Sequence, residues 1–142
     1  MLIKEYIVTK RKKLLNLLYW IAMGALLLWF AYTKGWILAN FESITPKEAI
    51  VLLERDDNLT LLDVRTIQEF KEGHLQGATL IPLGNLEANL DKLPKQQKIL
   101  VYCRSGSRSL AASCILEKHG FTPINIKEGI IGLKGAGAQV VR

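Results

Sequence analysis

The densest chemistry in the chain lies in the seven residues from Cys103 to Ser109, which hold one cysteine, two arginines, one glycine and three serines. A cysteine acts as a nucleophile through its thiolate, which forms where positive charge and hydrogen-bond donors surround the sulfur. Arg104 and Arg108 supply full charges. The intervening Ser105, Gly106 and Ser107 can curl so that backbone N–H groups point at one spot, and a helix opening just afterwards adds its N-terminal partial charge. Cys103 is therefore the candidate nucleophile. Arg104, Ser105, Gly106, Ser107, Arg108 and Ser109 form the candidate loop for an anion beside it, with Gly106 suited to a backbone angle that a side chain resists.

Such a loop needs a rigid platform. Lys98–Tyr102 is a short run with the apolar and aromatic residues of a buried strand. Ser109–His119 predicts a helix, with Leu110, Ala111, Cys114 and Ile115 at helical spacing and Gly120 as its stop. Cys103 thus falls at the C-terminal tip of a strand. Upstream, Phe41–Ile44 predicts an opening strand, and Thr45-Pro46-Lys47-Glu48 combines a capping box with proline at the first helical position. Leu59–Val64 is nearly all apolar, as a strand covered on both faces requires. Thr66-Ile67-Gln68-Glu69 repeats the capping box before a short helix ending near Gly73. Thr79–Ile81 predicts a strand and Leu86–Leu93 a weak helix. Pro123–Ile126 reads as the last strand, followed by a glycine-rich end at Gly129, Gly132, Gly135 and Gly137. Alternating strands and helices give an α/β fold with a mostly parallel central sheet, in which ligands bind beyond the C-terminal strand ends.

Two segments of this sequence resemble the rhodanese-like sulfurtransferases. Cys103 and Arg108, separated by four residues, match that family's active loop. Leu61-Leu62-Asp63-Val64-Arg65, Glu69-Phe70, Gly73-His74-Leu75-Gln76-Gly77-Ala78 and Ile81-Pro82 match its upstream signature, and the likeness runs over about Phe41–Arg142. The resemblance implies that Cys103 takes a sulfane sulfur from a small anionic donor such as thiosulfate, becomes a persulfide, and passes the sulfur to a thiol or protein acceptor. It places Arg108 as the residue that closes the loop; Arg104, freer to face the donor, reads either as the residue that recognises the anion or as a solvated surface charge. It gives His74 a structural turn. Asp63, Arg65 and Glu69, near the end of the central strand, read as a structural ion-pair cluster, since transfer from an ionised thiolate needs little proton traffic. Related phosphatases separate Cys from Arg by five residues and carry His where this chain has Tyr102. A module that docks or carries sulfur for one partner at the membrane is the alternative to an enzyme. The chain departs from the family at Glu128-Gly129, where a Gly-Gly pair is usual, at Leu133, where a Trp is usual, and at Ala138-Gln139, where a Leu-Pro is usual.

Cys103 and Cys114 are too few for a disulfide framework, and Cys114 lies about 10 Å further along the helix axis, beyond disulfide reach. Cys114 reads as a small core residue, with a resolving thiol as the alternative. One histidine with two cysteines of different roles makes no metal site, and no motif calls for a cofactor.

The net charge of +6 is concentrated at the start: residues 1–39 carry +5 and residues 40–142 only +1. No basic stripe with interleaved aromatics runs through the second part, so nucleic acid is set aside. Residues 1–39 read instead as a basic N-terminus and a membrane segment, and 40–142 as the globular domain. Residues 14–32 are apolar apart from Asn16 and span about 28 Å as a helix, close to the hydrocarbon thickness of a bilayer. Tyr19, Trp20, Trp29, Tyr32 and Trp36 lie towards the ends, as an interfacial belt does. A cleaved signal peptide competes, but its one passable site, after Ala39, has the bulky Ile37 where a small residue is preferred. Lys4, Lys10, Arg11, Lys12 and Lys13 precede the span, against Lys34 and Lys47 after it. The positive-inside rule then predicts a single-pass protein of a bacterial-type inner membrane, its domain on the outer, periplasmic side.

Overall fold

The computed structural model describes residues 1–33 and 40–142, so the expectations placed on Lys34, Trp36, Ile37 and Ala39 lie outside the described residues. The chain divides into two compact units, Met1–Leu38 and Ala39–Arg142.

In the first unit, α1 (Leu2–Thr33) is one uninterrupted helix of 32 residues with no buried side chain. It begins well before the apolar run at Leu14, because Lys, Glu and Arg continue a helix as readily as Leu does. Its most apolar stretch has a mean hydropathy of 1.9, which is long and apolar enough to cross a membrane.

The second unit is α/β. Its elements are β1 (Glu42–Ile44), α2 (Pro46–Arg55), β2 (Leu59–Asp63), α3 (Ile67–Glu72), β3 (His74–Leu75), β4 (Thr79–Leu80), β5 (Lys98–Tyr102), α4 (Ser107–Lys118), β6 (Thr122–Ile126), α5 (Gly129–Gly135) and β7 (Val140–Val141). Five strands form a parallel sheet in the order β1-β6-β5-β2-β4. Alternate residues of the central strands enter opposite cores. Leu62, Ile99 and Val101 pack with Ala112, Leu116 and Phe121 on one face. Leu61, Leu100 and Tyr102 pack with Ala49, Ile130 and Leu133 on the other. Both faces of β2 and β5 are thus covered, which explains their nearly unbroken apolar sequence. From β2 the chain leaves towards β4, and from β5 it leaves the other way towards β6, so the two neighbours flank the switch point where such sheets bind ligands.

Both capping boxes form: Thr45 with Glu48 opens α2, and Thr66 with Glu69 opens α3. Three expectations are corrected. The helix after Cys103 starts at Ser107, two residues earlier than expected, because Gly106 at φ 104° turns the chain sharply enough to enter it at once. The Leu86–Leu93 segment is a pair of 3-10 turns, Leu83–Asn85 and Glu87–Lys92, the second kinked at Asn89. The glycine-rich end carries α5 and a further strand, β7, which pairs antiparallel with β3. Glycine at three of its seven positions hides α5 from helix propensity. Its apolar pair, Ile130 and Leu133, is spaced for one helix face, and both are buried. Leu133, where the resembled family has Trp, is wholly buried in the second core.

Candidate active site

Cys103 follows directly on β5, whose last residue, Tyr102, is fixed from several sides. The Tyr102 carbonyl accepts from the Val64 amide at 3.1 Å, and its hydroxyl accepts from the Leu75 amide at 3.2 Å. The Arg65 guanidinium lies 5.6 Å from the centre of its ring. Arg65 in turn grips Asp63, with Nη2 at 2.6 Å from Oδ2 and Nε at 3.0 Å from both carboxylate oxygens, and donates to the Gly73 carbonyl at 2.9 Å. Asp63 is fully buried and Arg65 nearly so, so the pair neutralises two charges that neither could carry there alone. Burial, together with the Asp63 carboxylate, drives the Tyr102 phenol far above its ordinary range, so it stays protonated.

The loop after Tyr102 curls around the sulfur. The Gly106 amide donates to Cys103 Sγ at 3.1 Å, and the Ser109 hydroxyl donates to the Gly106 carbonyl at 3.0 Å. Burial pushes the Cys103 thiol up. The Ser109 backbone and hydroxyl, with the Gly106 and Ser105 amides, more than reverse this and leave it below its ordinary value. Burial raises the Cys114 thiol instead.

What shapes the curl comes from a helix that sequence reasoning missed. At the N-terminus of α5 the Ile130 amide donates to the Cys103 carbonyl at 2.8 Å and the Ile131 amide to the Arg104 carbonyl at 3.3 Å. These amides have no partner within their own helix, and the carbonyls of the loop need one. The approach is so close that a β-carbon on Gly129, already at φ 54°, would collide with the carbonyls of Cys103 and Arg104. A β-carbon on Gly106 would stand 3.1 Å from the Glu128 amide nitrogen. Glu128 itself, in place of the resembled family's first glycine, sits at φ 60°, a left-handed conformation unusual for a side-chain-bearing residue. The sequence signal available was the Glu128-Gly129 departure, whose importance lies in backbone geometry.

Asp63, Arg65 and Glu69 do not form one cluster. Glu69 reaches across to Arg108 instead, with carboxylate–guanidinium distances of 2.7 and 2.8 Å. The same carboxylate caps α3 by accepting from the Thr66 amide and hydroxyl, each at 3.0 Å. The Arg108 bonds, followed by those from Thr66, hold Glu69 at about 2 despite its burial. Arg108 is therefore tied to α3 by a two-pronged bond, and the nearby Cys103 sulfur further favours its charged form. His74 is turned to Phe70: the rings stack at 3.6 Å, and Nδ1 lies 3.0 Å from the Phe70 carbonyl oxygen. Arg104 is exposed and makes no ion pair among the described residues. It lines a depression of about 250 Å³ whose wall also includes Lys134, a cation that the sequence reading passed over.

Residues 45–136 match the rhodanese-like domain family. A sulfurtransferase of Allochromatium vinosum is 30% identical over 86 residues, covering 60% of this chain and 80% of that relative. YrkF of Bacillus subtilis, whose name describes a sulfur carrier protein, is 37% identical over 79 residues. That match covers 55% of this chain and only 43% of the relative. Among solved structures, a rhodanese-like domain protein of Staphylococcus aureus superposes with a TM-score of 0.65 at 27% identity, covering 72% of this chain and all of that one. A rhodanese-related protein of Thermoplasma volcanium gives 0.66 at 28% identity over 71% of this chain and 98% of its own. Sulfur transfer is thereby supported at the level of the family.

Two predictions follow from the geometry. Gly129→Ala forces α5 away from the loop carbonyls, and we expect a loss of more than about 2 kcal/mol in stability, read by thermal unfolding of the full chain. Unchanged unfolding would mean that the contact is dispensable. Glu69 titrates lower folded than unfolded (about 2 against about 4.3), so its stabilisation is complete above pH of about 4.3 and fades as pH falls towards 2. Because the pair is partly exposed, Glu69→Gln should cost about 1 kcal/mol near neutrality, with the gap from the parent closing across that acid window. A gap independent of pH would contradict the ion pair.

Proposed function

Since this chain belongs to the rhodanese-like domain family, we propose that it is a membrane-anchored sulfurtransferase in which Cys103 carries the sulfur as a persulfide. The observation that carries this reading is the sulfur itself: its thiol is lowered by loop amides, with the Gly106 N–H at 3.1 Å. With a donor such as thiosulfate, the Cys103 thiolate attacks the outer sulfur. A new S–S bond forms, the donor's own S–S bond breaks, and sulfite leaves with the electron pair. The persulfide's terminal sulfur keeps the negative charge, which the amides of the loop can accept. Arg104 serves the donor's anionic end. Arg108, braced by Glu69, holds the loop and contributes its charge. Asp63, Arg65 and His74 act as structural supports, and no step requires a metal or a cofactor.

α1 is proposed as the anchor. The basic residues Lys4 and Lys10–Lys13 near its start favour the cytoplasm for the N-terminus, which sets the domain on the outer, periplasmic face of a bacterial-type membrane. A thiol catalyst in that oxidising compartment needs a source of reduced acceptor.

Cys103 is wholly buried, and this favours a second reading, a carrier or docking module that releases its sulfur to one partner able to open the loop. One experiment separates the two. The full chain in detergent is given thiosulfate and cyanide, with Cys103→Ser and Cys114→Ser alongside. We expect thiocyanate from the parent and from Cys114→Ser, and a loss of at least about a thousandfold in Cys103→Ser. A Cys103 persulfide without thiocyanate would favour the carrier. Equal loss in both cysteine variants would contradict the assignment of Cys103 alone.

A further inference from the structure

α1 is longer than a membrane span requires, and its surplus carries charge of almost one sign. Its 32 residues rise about 48 Å, whereas the hydrocarbon of a bilayer is about 30 Å thick. The apolar run from Leu14 to Tyr32 accounts for that thickness, which leaves about 18 Å of helix ahead of Leu14 on the polar side of the boundary. The helix does not break there, so each residue ahead of Leu14 stands at a set depth. Lys10, Arg11, Lys12 and Lys13 lie about 1.5 to 6 Å along the axis from Leu14, and a headgroup layer is about 5 to 7 Å deep on each side. Successive residues turn about 100° around the axis, so four in a row encircle the helix. All four are exposed, and none makes an ion pair among the described residues. Glu5, the one acidic residue of α1, lies more than a turn beyond Lys10. Lys10 rests over the Tyr6 ring, 5.3 Å from its centre, a contact that leaves its charge in place.

We infer that Lys10–Lys13 form a collar that binds lipid headgroups and selects phospholipids of net negative charge. The inference rests on the reading of α1 as a membrane anchor. Four cations held at phosphate depth, with no carboxylate of the helix beside them, need counter-charges from the lipid. A zwitterionic headgroup brings its own cation and offers no net neutralisation. A headgroup whose only charge is its phosphate does. Arg11 can donate two parallel N–H groups to one phosphate, and the lysines act as mobile point charges. Their stems lie along the helix while the charged heads reach outward, so the collar needs no cleft. Being closed around the helix, it engages several lipids of the surrounding shell at once.

The test reconstitutes the full chain in phosphatidylcholine bilayers with a trace of spin-labelled phosphatidylglycerol or spin-labelled phosphatidylcholine. The fraction of each label immobilised at the protein gives its relative association. We expect phosphatidylglycerol to associate about fivefold more strongly with the parent. With Lys10→Gln, Arg11→Gln, Lys12→Gln and Lys13→Gln combined, the ratio should fall to about one. Lys10→Arg, Lys12→Arg and Lys13→Arg together should keep the preference, and salt at about 1 M should weaken it in the parent. Equal association of the two labels with the parent would overturn the inference, as would a preference that survives the fourfold glutamine substitution. Both leaflets hold the same lipid, so the readout does not depend on which way the chain is inserted. Extraction at alkaline pH separates this result from the anchor reading. A chain that resists extraction yet shows no lipid preference keeps the anchor and loses the collar. A chain that is stripped from the bilayer loses the anchor reading. If that chain still binds phosphatidylglycerol vesicles over phosphatidylcholine vesicles through these four residues, the collar stands as a surface site; if it binds neither, both readings fail.

Discussion

Two backbone hydrogen bonds hold the site together, from the first amides of α5 to the carbonyls of Cys103 and Arg104. A chain that curls its N–H groups inward around a sulfur must turn carbonyls outward, and buried carbonyls without partners are costly. A helix N-terminus has the opposite problem, donors without acceptors. Setting one against the other satisfies both, and it sets tight steric terms: Gly129 and Gly106 each lie where a side chain would strike the facing backbone. The lowered thiol, the reach of Gly106 to Sγ and the placement of Arg104 beside the depression all follow from that contact.

The two ion pairs divide the remaining work by depth. Asp63–Arg65 is buried and links β2, the Gly73 turn and the face of Tyr102, so it fixes the strand end from which Cys103 emerges. Glu69–Arg108 is partly exposed and joins the start of α4 to the start of α3. Through its cap on Thr66 the same carboxylate makes α3 begin where Arg108 needs it. Arg104 and Lys134 are exposed and make no ion pair among the described residues.

The sequence made the βα unit around Cys103 legible because its signals are local: an apolar strand, a glycine turn, and a helix with its own stop. Both capping boxes were legible for the same reason, since Thr and Glu three residues apart satisfy each other without help from elsewhere. What sequence could not show depends on distant segments meeting. Glu69 and Arg108 lie 39 residues apart, and either reads alone as an ordinary surface charge. α5 hides behind glycines that serve close approach instead of flexibility, and β7 is two residues long with no period to detect. Lys134 reaches the wall that Arg104 lines only because α5 exists. The departure at Glu128 was visible as a residue type, whereas its left-handed backbone was not.

Loop donors lower the Cys103 thiol against the cost of its burial. The most direct measurement is the ultraviolet absorbance of the thiolate during a pH titration of the full chain, with Cys103→Ser subtracted to remove tyrosine and Cys114. The account predicts a titration midpoint clearly below the ordinary thiol value of about 8.5. A midpoint at or above that value would mean that burial outweighs the loop donors, contradicting the account.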